Sequence, residues 1–310
     1  MPSGRRRQGC AWSVSALDKR RHLLQLCVAA FSNGYLYGLT QNRLFTGWSK
    51  RLCLPGLNCY SCPLATTACP LGSLQASLAA RDLGSFFYVA GMLALFGSVL
   101  GRFVCGWLCP FGLLQELLHK IPFGPKLRRL PGERALRATK FVFLGFLCVL
   151  LPLFALDAFG FGKDWFCAYV CPAGTLEGGL LYAVWNEGLR PMLSWLFAWK
   201  LFLLVALLLI CLVVYRPFCR YFCPLGALYG MGNHLSPIRL RWDERKCTHC
   251  GRCHVACPMD LDPARSGQMS LCIRCGKCAA ACPEGALSLT TRRCSAGSKV
   301  PAQGAASTDA

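Results

Sequence analysis

The sequence CTHCGRCHVACP, at residues 247–258, is followed by CIRCGKCAAACP at residues 272–283. In each run, three cysteines separated by two residues precede a fourth cysteine that is followed by proline. Three thiolates at this spacing bind one [4Fe–4S] cluster, and the fourth binds the neighbouring cluster. The pattern therefore predicts two clusters. The first would be held by Cys247, Cys250, Cys253 and Cys282, and the second by Cys272, Cys275, Cys278 and Cys257.

Zinc binding and disulfide formation are the other chemistries open to these cysteines. Zinc sites usually contain two separated C-x2-C pairs, and a cytoplasmic location disfavours disulfides, so clusters are the favoured interpretation. Segments Ile238–Trp242 and Ala286–Leu289 are expected to form the short strands that close such a domain. The sequence thus predicts a small α+β ferredoxin domain of the bacterial 2[4Fe–4S] type at residues 236–293. A disordered tail is expected at residues 294–310.

A second cysteine pattern, C-x3-C-P-x-G-x-L, recurs before the ferredoxin runs, which indicates a reused structural unit. The three full copies begin at Cys105, Cys167 and Cys219, and a partial copy begins at Cys69. Proline suits the first turn of a helix, so the cysteine before it is expected near a helix N-terminus. There the helix dipole and the free N–H groups favour a thiolate, as a metal or redox role requires.

Four apolar runs predict a membrane domain, because roughly 20 apolar residues in a helix cross the hydrocarbon core. They lie at about residues 22–39, 84–104, 141–161 and 195–215, and polar residues at 32 and 33 interrupt the first. The hydrophobic content of 54% and the mean hydropathy of +0.39 also indicate a membrane protein. We therefore expect a mainly α protein with a four-helix transmembrane bundle at residues 22–235. A cytoplasmic basic segment at residues 1–21 would precede it.

The distribution of basic residues predicts the orientation of the chain. The net charge is +20, from 34 Lys and Arg against 14 Asp and Glu. Lys and Arg are frequent in residues 1–21, in 105–140 and after 215, and are sparser in 40–83 and 162–194. The positive-inside rule then places both termini in the cytoplasm, with the chain in a bacterial inner membrane. Because the charge follows the topology, a surface for nucleic acid is disfavoured.

This topology divides the remaining paired cysteines into two groups. The inner set, on the cytoplasmic side, comprises Cys105, Cys109, Cys219 and Cys223. The outer set, on the opposite side, comprises Cys59, Cys62, Cys69, Cys167 and Cys171, with Cys53 nearby. We hypothesise a cysteine-ligated cluster or other thiophilic metal at each membrane face. The alternatives are buried turns with free thiols for the inner set and disulfides for the outer set.

Four motifs, CGWLCPFG, CRYFCPLG, NCYSCP and CAYVCPAG, combine here with four predicted spans and a C-terminal double ferredoxin. This combination resembles the NapH/MauN family of membrane-bound ferredoxin-type proteins over roughly residues 20–290, and also the membrane part of NosR. The resemblance implies a quinol-oxidising membrane component that passes electrons to a periplasmic ferredoxin partner and on to a reductase. MauN-like relatives accompany methylamine oxidation. The family's motif pairs match Cys105/Cys109 and Cys219/Cys223, and its ferredoxin cysteines match one for one.

Three functions fit these features. The leading one is electron exchange between the quinone pool and a partner ferredoxin or oxidoreductase subunit. The others are an accessory or maturation role and redox sensing, both for a partner oxidoreductase. No Gly-rich nucleotide loop or catalytic triad is visible in the sequence, so stand-alone catalysis is not expected.

Several side chains near the inner membrane boundary are candidates for contact with quinone. Four aromatic residues beside the Cys-Pro turns are candidates for a quinone pocket or, alternatively, for an interfacial belt: Trp107, Phe111, Tyr221 and Phe222. His22 and His119 are candidate acceptors of quinol protons, because imidazole titrates near neutrality. Haem ligation by two isolated histidines is disfavoured.

Overall fold

A computed structural model describes residues 14–41, 43–185, 188, 194–263 and 270–290. These residues are mainly helical, and two short strands form the one sheet among them. The predicted tail, residues 294–310, lies outside the described residues. So do residues 1–13 of the predicted basic segment, whose last residues begin the first helix, α1 (Val14–Ser32).

Two helices in the described part of the chain are long and apolar enough to cross a membrane. One is Glu133–Phe154, which consists of α7 (Glu133–Val142), a π-helical segment at Phe143–Leu150 and α8 (Leu151–Phe154). The other is α11 (Trp195–Val213). Both expose large apolar side chains such as Phe146 and Phe202, as contact with lipid requires. The chain is therefore described as a membrane protein.

The predicted four-helix bundle is supported only in part. Helix α4 (Leu83–Val99) is apolar but has 17 residues and ends before the predicted boundary at residue 104. Over the first predicted span, α1 ends at Ser32 and α2 (Tyr37–Gln41) follows a break. The hydroxyl of Ser32 donates to the carbonyl of Val28 at 2.8 Å, so polar side chains replace the backbone hydrogen bonds there.

Short helices begin at the Cys-Pro turns, as the repeat predicts. They are α3 (Pro70–Ala79), α6 (Pro110–Lys120) and α12 (Pro224–Gly232), each with cysteine at the N-cap and proline in the first turn. The Cys171-Pro172 turn likewise starts a helical segment that continues through a π-helical stretch at Gly174–Leu180 and α10 (Leu181–Trp185). One helical turn carries the first cysteine of each full copy: α5 (Phe103–Trp107), α9 (Trp165–Tyr169) and a π-helical turn at Phe218–Phe222.

The ferredoxin domain contains the two strands, which lie within one residue of the predicted segments. β1 (Arg239–Trp242) pairs antiparallel with β2 (Leu287–Thr290). Helices α13 (Arg252–Ala256) and α14 (Lys277–Ala280) follow the two cysteine loops, and short 3-10 turns lie at Trp48–Arg51 and Glu244–Lys246. Gly251 and Gly276 precede the two helices with φ of +73° and +82°, a conformation that favours glycine.

A buried ionic cluster joins α1, α6 and the segment after α11. The carboxylate of Glu116 accepts two hydrogen bonds from Arg21, at 2.6 and 2.8 Å, and lies 2.8 Å from Nη2 of Arg216. Its other partners are the hydroxyl of Tyr215 and Nε2 of His22, the latter at 2.9 Å. Both arginines are fully buried and Glu116 is 2% exposed, so this carboxylate is a counter-charge for two buried cations, and Arg21 also pairs with Asp18 at 3.0 Å.

We expect Glu116→Gln to destabilise the protein by about 3–5 kcal/mol, because it would remove the carboxylate that pairs with the buried Arg216 and leave Arg21 with Asp18 alone. The measurement is the midpoint of denaturant unfolding of the detergent-solubilised protein. Glu244→Gln is the control, since Glu244 is exposed in the ferredoxin domain. Equal midpoints for the two variants would show that the ionic cluster does not stabilise the fold.

Candidate iron–sulfur sites

The ferredoxin domain brings its eight cysteines together in the same two groups of four that their spacing predicts. The distal ferredoxin site is a cavity of about 380 Å³ lined by Cys247, Cys250, Cys253 and Cys282. The proximal ferredoxin site is a smaller, more apolar cavity lined by Cys257, Cys272, Cys275 and Cys278. Cys250 of the distal site is exposed, whereas Cys275 and Cys278 of the proximal site are buried. The fourth cysteine of each run lies with the first three of the other.

Backbone N–H groups in the cysteine loops point at sulfur. The N–H of Arg274 donates to Sγ of Cys272 at 3.4 Å, and that of Leu261 donates to Sγ of Cys257 at 3.5 Å. Burial raises the pKa of Cys272 to about 11, whereas the backbone N–H of Arg252 lowers the pKa of Cys250. Since iron–sulfur clusters bind thiolates, cluster assembly at the buried cysteines would release protons.

The proximal ferredoxin site packs directly on α5, which carries Cys105 of the inner set. The approach is close at Gly106, where a Cβ would lie 2.3 Å from the carbonyl oxygen of Ile273. Next to it, Nε1 of Trp107 donates to the carbonyl of Arg274 at 3.0 Å. The peptide of Gly106, which follows Cys105, therefore contacts the loop between Cys272 and Cys275.

Side chains from both domains cross this interface. Nη1 of Arg102 donates to the carbonyl of Leu271 at 3.0 Å, and Nδ2 of Asn233 donates to that of Cys272 at 3.0 Å. In the opposite direction, Nη1 of Arg274 donates to the carbonyl of Leu100 at 2.9 Å. Arg102 and Arg274 are buried, so their guanidinium groups fix the orientation of the ferredoxin domain without competition from water.

The inner set gathers as predicted. Cys105, Cys109, Cys219 and Cys223 are each 5–7% exposed and interact electrostatically with one another. Nε2 of Gln115 donates to Sγ of Cys219 at 3.1 Å, and the N–H of Gly226 donates to Sγ of Cys223 at 3.4 Å. Two buried arginines approach from the sides, since Arg216 donates to the carbonyl of Cys105 and Arg102 to that of Cys219. Their charge would offset the negative charge of four thiolates.

In the outer set, four of the five predicted cysteines gather. Cys59, Cys69, Cys167 and Cys171 interact electrostatically with one another. A Cβ on Gly174 would lie 3.7 Å from Sγ of Cys59 and 3.8 Å from Sγ of Cys171, so glycine permits this approach. The fifth predicted cysteine, Cys62, instead accepts hydrogen bonds from the N–H groups of residues 64 and 65 and interacts with Lys50 and Glu177. Cys53 lies beside Ser73.

The donor sets of the ferredoxin sites suit iron–sulfur clusters. Four cysteines line each site, and backbone N–H groups donate to their sulfurs. Within the described ranges, no three His, Cys, Asp or Glu side chains form a site for a single metal ion. The described cysteines are also all free of disulfides.

The aromatic residues that were candidates for a quinone pocket make separate contacts. Trp107 stacks on Phe103 with ring centroids 5.2 Å apart, Phe111 meets Phe218 edge to face, and Phe222 packs on Phe143. Tyr221, the fourth candidate, is fully buried.

The two candidate proton acceptors lie on different elements. His22 is hydrogen-bonded to Glu116, and Nδ1 of His119 lies 3.2 Å from the carbonyl of Cys211. Of these two histidines, His22 is therefore the one that is hydrogen-bonded to a carboxylate.

Sequence reasoning missed the glutamines of the two membrane sites. Gln75 and Gln115 both lie six residues after the cysteine of a Cys-Pro turn, at the end of the same C-P-x-G-x-L run. Their amides contact Cys167 and Cys219 respectively. The shared offset was a signal for them, because glutamine recurs at the same position after two of the Cys-Pro turns.

The comparisons with known proteins agree with an iron–sulfur assignment. Three segments, residues 82–131, 141–184 and 195–242, match a family model described as a 4Fe–4S binding domain, and they include the Cys105, Cys167 and Cys219 motifs. Two further models with the same description match residues 240–261 and 268–288. No solved structure matches the chain.

Curated relatives are ferredoxin-type proteins. The chain is 28% identical over 204 residues to the putative electron transport protein YccM of Escherichia coli, covering 61% of the chain and 51% of YccM. It is 29% identical over 183 residues to the methylamine utilization ferredoxin-type protein MauN of Methylorubrum extorquens, covering 57% and 54%. It is 31% identical over 189 residues to the ferredoxin-type protein NapH of Haemophilus influenzae, covering 59% and 57%. The chain thus spans about half the length of these relatives.

Gly106→Ala is expected to loosen the ferredoxin domain from the membrane domain. The added Cβ would overlap the carbonyl of Ile273, and such overpacking costs about 1–3 kcal/mol. The undocked fraction should rise by about fivefold or more. The measurement is the rate of limited proteolysis between the domains in detergent, with Gly91→Ala as the control because a Cβ there meets no atom within 4 Å. Identical proteolysis rates would contradict the close packing at Gly106.

Proposed function

Because the chain belongs to the NapH/MauN-type family of ferredoxin proteins, we propose that it exchanges electrons between the membrane quinone pool and a partner oxidoreductase. In this proposal the eight ferredoxin cysteines hold two [4Fe–4S] clusters and the inner set holds a further cluster. The chain lies in a bacterial inner membrane with both termini in the cytoplasm, and residues 22–235 and 236–293 form the membrane and ferredoxin domains.

The observation that supports this function best is the direct contact between the proximal ferredoxin site and the inner set. The peptide of Gly106 touches Ile273, one residue after a cysteine of each site. Iron–sulfur clusters, when bound, supply one-electron redox chemistry at each site. The interface fixes the separation of the two sites, because buried guanidinium groups from both domains bond the facing loops. Such contact is unnecessary for a protein that only stores or delivers clusters.

Two electrons and two protons leave each quinol that is oxidised to quinone. Quinol is the reductant in this proposal, and the partner oxidoreductase or its ferredoxin is the oxidant. His22 is a suitable first acceptor for a proton, since its ring lies 2.9 Å from Glu116 and 3.3 Å from Lys120 near the start of the membrane domain. The second proton leaves to water at the membrane surface.

The distal ferredoxin site is the suitable docking surface for the partner. Its cavity opens beside the exposed Cys250, and the side chains around it include Lys246 and Arg252 as well as Asp262 and Glu284. A rim with charges of both signs can orient a partner surface of complementary charge pattern. The partner would therefore approach at the end of the molecule that lies away from the membrane domain.

The test is quinol-driven reduction of the protein in liposomes, followed by visible absorption and electron paramagnetic resonance. Quinol should bleach the iron–sulfur absorption of the natural protein. Cys105→Ser should keep the eight ferredoxin irons but slow quinol-driven reduction by roughly tenfold or more, equal to about 1.4 kcal/mol in the barrier. Cys27→Ser is the control, because Cys27 lies outside all four sites.

Reduction of the clusters by dithionite but not by any quinol would contradict the proposed function. It would favour an accessory role instead. A Cys105→Ser protein that is reduced as fast as the control would exclude the inner set from the electron path.

A further inference from the structure

The four Cys-Pro turns share more than their sequence motif. At three of them the N-cap cysteine has nearly the same backbone conformation, with φ of −74°, −74° and −72° and ψ of 125°, 117° and 113° at Cys69, Cys109 and Cys223. The N–H groups of Gly174 and Gly226 donate to the sulfurs of Cys171 and Cys223, each at 3.4 Å. Each helix also carries a polar side chain six residues after its cysteine: Gln75, Gln115, Glu177 and Tyr229. The turns are therefore equivalent in backbone geometry as well as in residue pattern.

In the inner set, the residue six positions after each cysteine reaches the first cysteine of the other pair. Gln115, on the helix of Cys109, donates from Nε2 to Sγ of Cys219 at 3.1 Å and accepts from the N–H of Phe218 at 3.2 Å. Tyr229, on the helix of Cys223, interacts electrostatically with Cys105. The two pairs thus contact each other reciprocally, as halves related by a pseudo-twofold axis do.

The outer set repeats this arrangement. Gln75, on the helix of Cys69, donates from Nε2 to Sγ of Cys167 at 3.3 Å and accepts from the N–H of Phe166 at 3.0 Å. Glu177, on the helix of Cys171, accepts from the N–H of Cys59 at 2.6 Å. The glutamine contacts of the inner set therefore have counterparts, with Gln75 and Cys167 in the positions of Gln115 and Cys219. On the other half of each site the contacts differ, because Glu177 accepts a hydrogen bond from Cys59 whereas the hydroxyl of Tyr229 has no hydrogen-bond partner among the described residues.

From this equivalence we infer that Cys59, Cys69, Cys167 and Cys171 hold a second iron–sulfur cluster inside the membrane domain, and that Cys62 and Cys53 are not its ligands. The inference extends the proposed function, because it rests on the same kind of cluster at the inner set. Sequence alone does not select Cys59, which stands ten residues before its Cys-Pro turn instead of four.

The outer set has neighbours of both charges. The N–H of Gly174 donates to Sγ of Cys171 at 3.4 Å, and Nζ of Lys200 donates to the carbonyl of Cys167 at 3.2 Å, which brings a positive charge to the site. The carboxylates of Glu177 and Asp164 also interact with these cysteines, so Lys200 and the N–H donor act against a larger negative charge than that of the thiolates alone.

The two membrane sites are close to each other. A Cβ on Gly56, three residues before Cys59 of the outer set, would lie 3.5 Å from Cα of Cys109 in the inner set. The fully buried Tyr229 interacts with cysteines of both sites, and its hydroxyl has no hydrogen-bond partner among the described residues.

The first test counts iron and acid-labile sulfide in the full-length protein, purified without oxygen. Cys167→Ser should lose one cluster, about two to four irons per chain. Cys62→Ser, the matched control from the same region, should lose none. Full iron retention by Cys167→Ser, or an equal loss from Cys62→Ser, would overturn the ligand assignment.

Cys105→Ser separates this inference from the proposed function. Loss of one cluster from Cys105→Ser, and of two from the double variant Cys105→Ser/Cys167→Ser, would support both membrane sites. Loss from Cys105→Ser alone would overturn the outer site and leave the proposed function standing. Loss from Cys167→Ser alone would overturn the inner site and the equivalence from which the outer site is inferred.

A second test keeps all cysteines and so does not depend on folding of a ligand variant. Gln75→Leu removes a hydrogen bond to Cys167, and Gln115→Leu removes the equivalent bond to Cys219. Hydrogen bonds to sulfur raise the reduction potential of a cluster, so each variant should lower the potential of one cluster. The electron paramagnetic resonance signal affected by Gln75→Leu should not be the one affected by Gln115→Leu. The signal shifted by Gln75→Leu should be the one that Cys167→Ser abolishes. Absence of any shift with Gln75→Leu, or a shift of a ferredoxin signal, would contradict the inference.

Discussion

The free N–H groups in the first turn of a helix need acceptors, and at two Cys-Pro turns of the described chain the acceptor is the sulfur of the cysteine, Cys171 or Cys223. Proline in the first turn fixes the start of the helix, and glycine three residues after the cysteine leaves the approach to sulfur open. Each short helix therefore directs its positive end at whatever its cysteine binds. Pairing two such helices makes a pocket for an anionic group within an otherwise apolar domain.

Most of the buried polar contacts in the described membrane domain serve this arrangement. Gln75 and Gln115 tie the two halves of each site together, whereas Arg102 and Arg216 bond the backbone around the inner set. Arg216 also joins the ionic cluster at Glu116, so the position of the inner set depends on α1 and α6. Arg102 donates instead to the backbone carbonyls of Leu271 and Cys219. A cluster with thiolate ligands in the inner set would supply a negative charge beside it.

The ferredoxin domain packs on one of these cysteine turns. Gly106 and Trp107, between the cysteines of one inner pair, touch the loop that carries Cys272 and Cys275. The short peptide between two cysteines is thus both part of a membrane site and a docking surface. With the adjacent inner and outer sets, the cysteine sites form a continuous series from the exposed Cys250 to the interior of the membrane domain.

Sequence spacing alone determined the two groups of ferredoxin cysteines, the two strands and the helix starts at Cys-Pro, because each depends on short-range geometry. It also marked Cys105, Cys109, Cys219 and Cys223 as one set. Tertiary structure decided what spacing does not encode: that Cys59 and not Cys62 faces Cys171, that the two membrane sets are neighbours, and that α1 ends at Ser32. Hydropathy counts apolar residues along the chain, and two of the four predicted spans are helices long and apolar enough to cross a membrane. It does not determine where a helix breaks, because the ends of α1 and α4 depend on polar side chains and on packing against neighbouring elements.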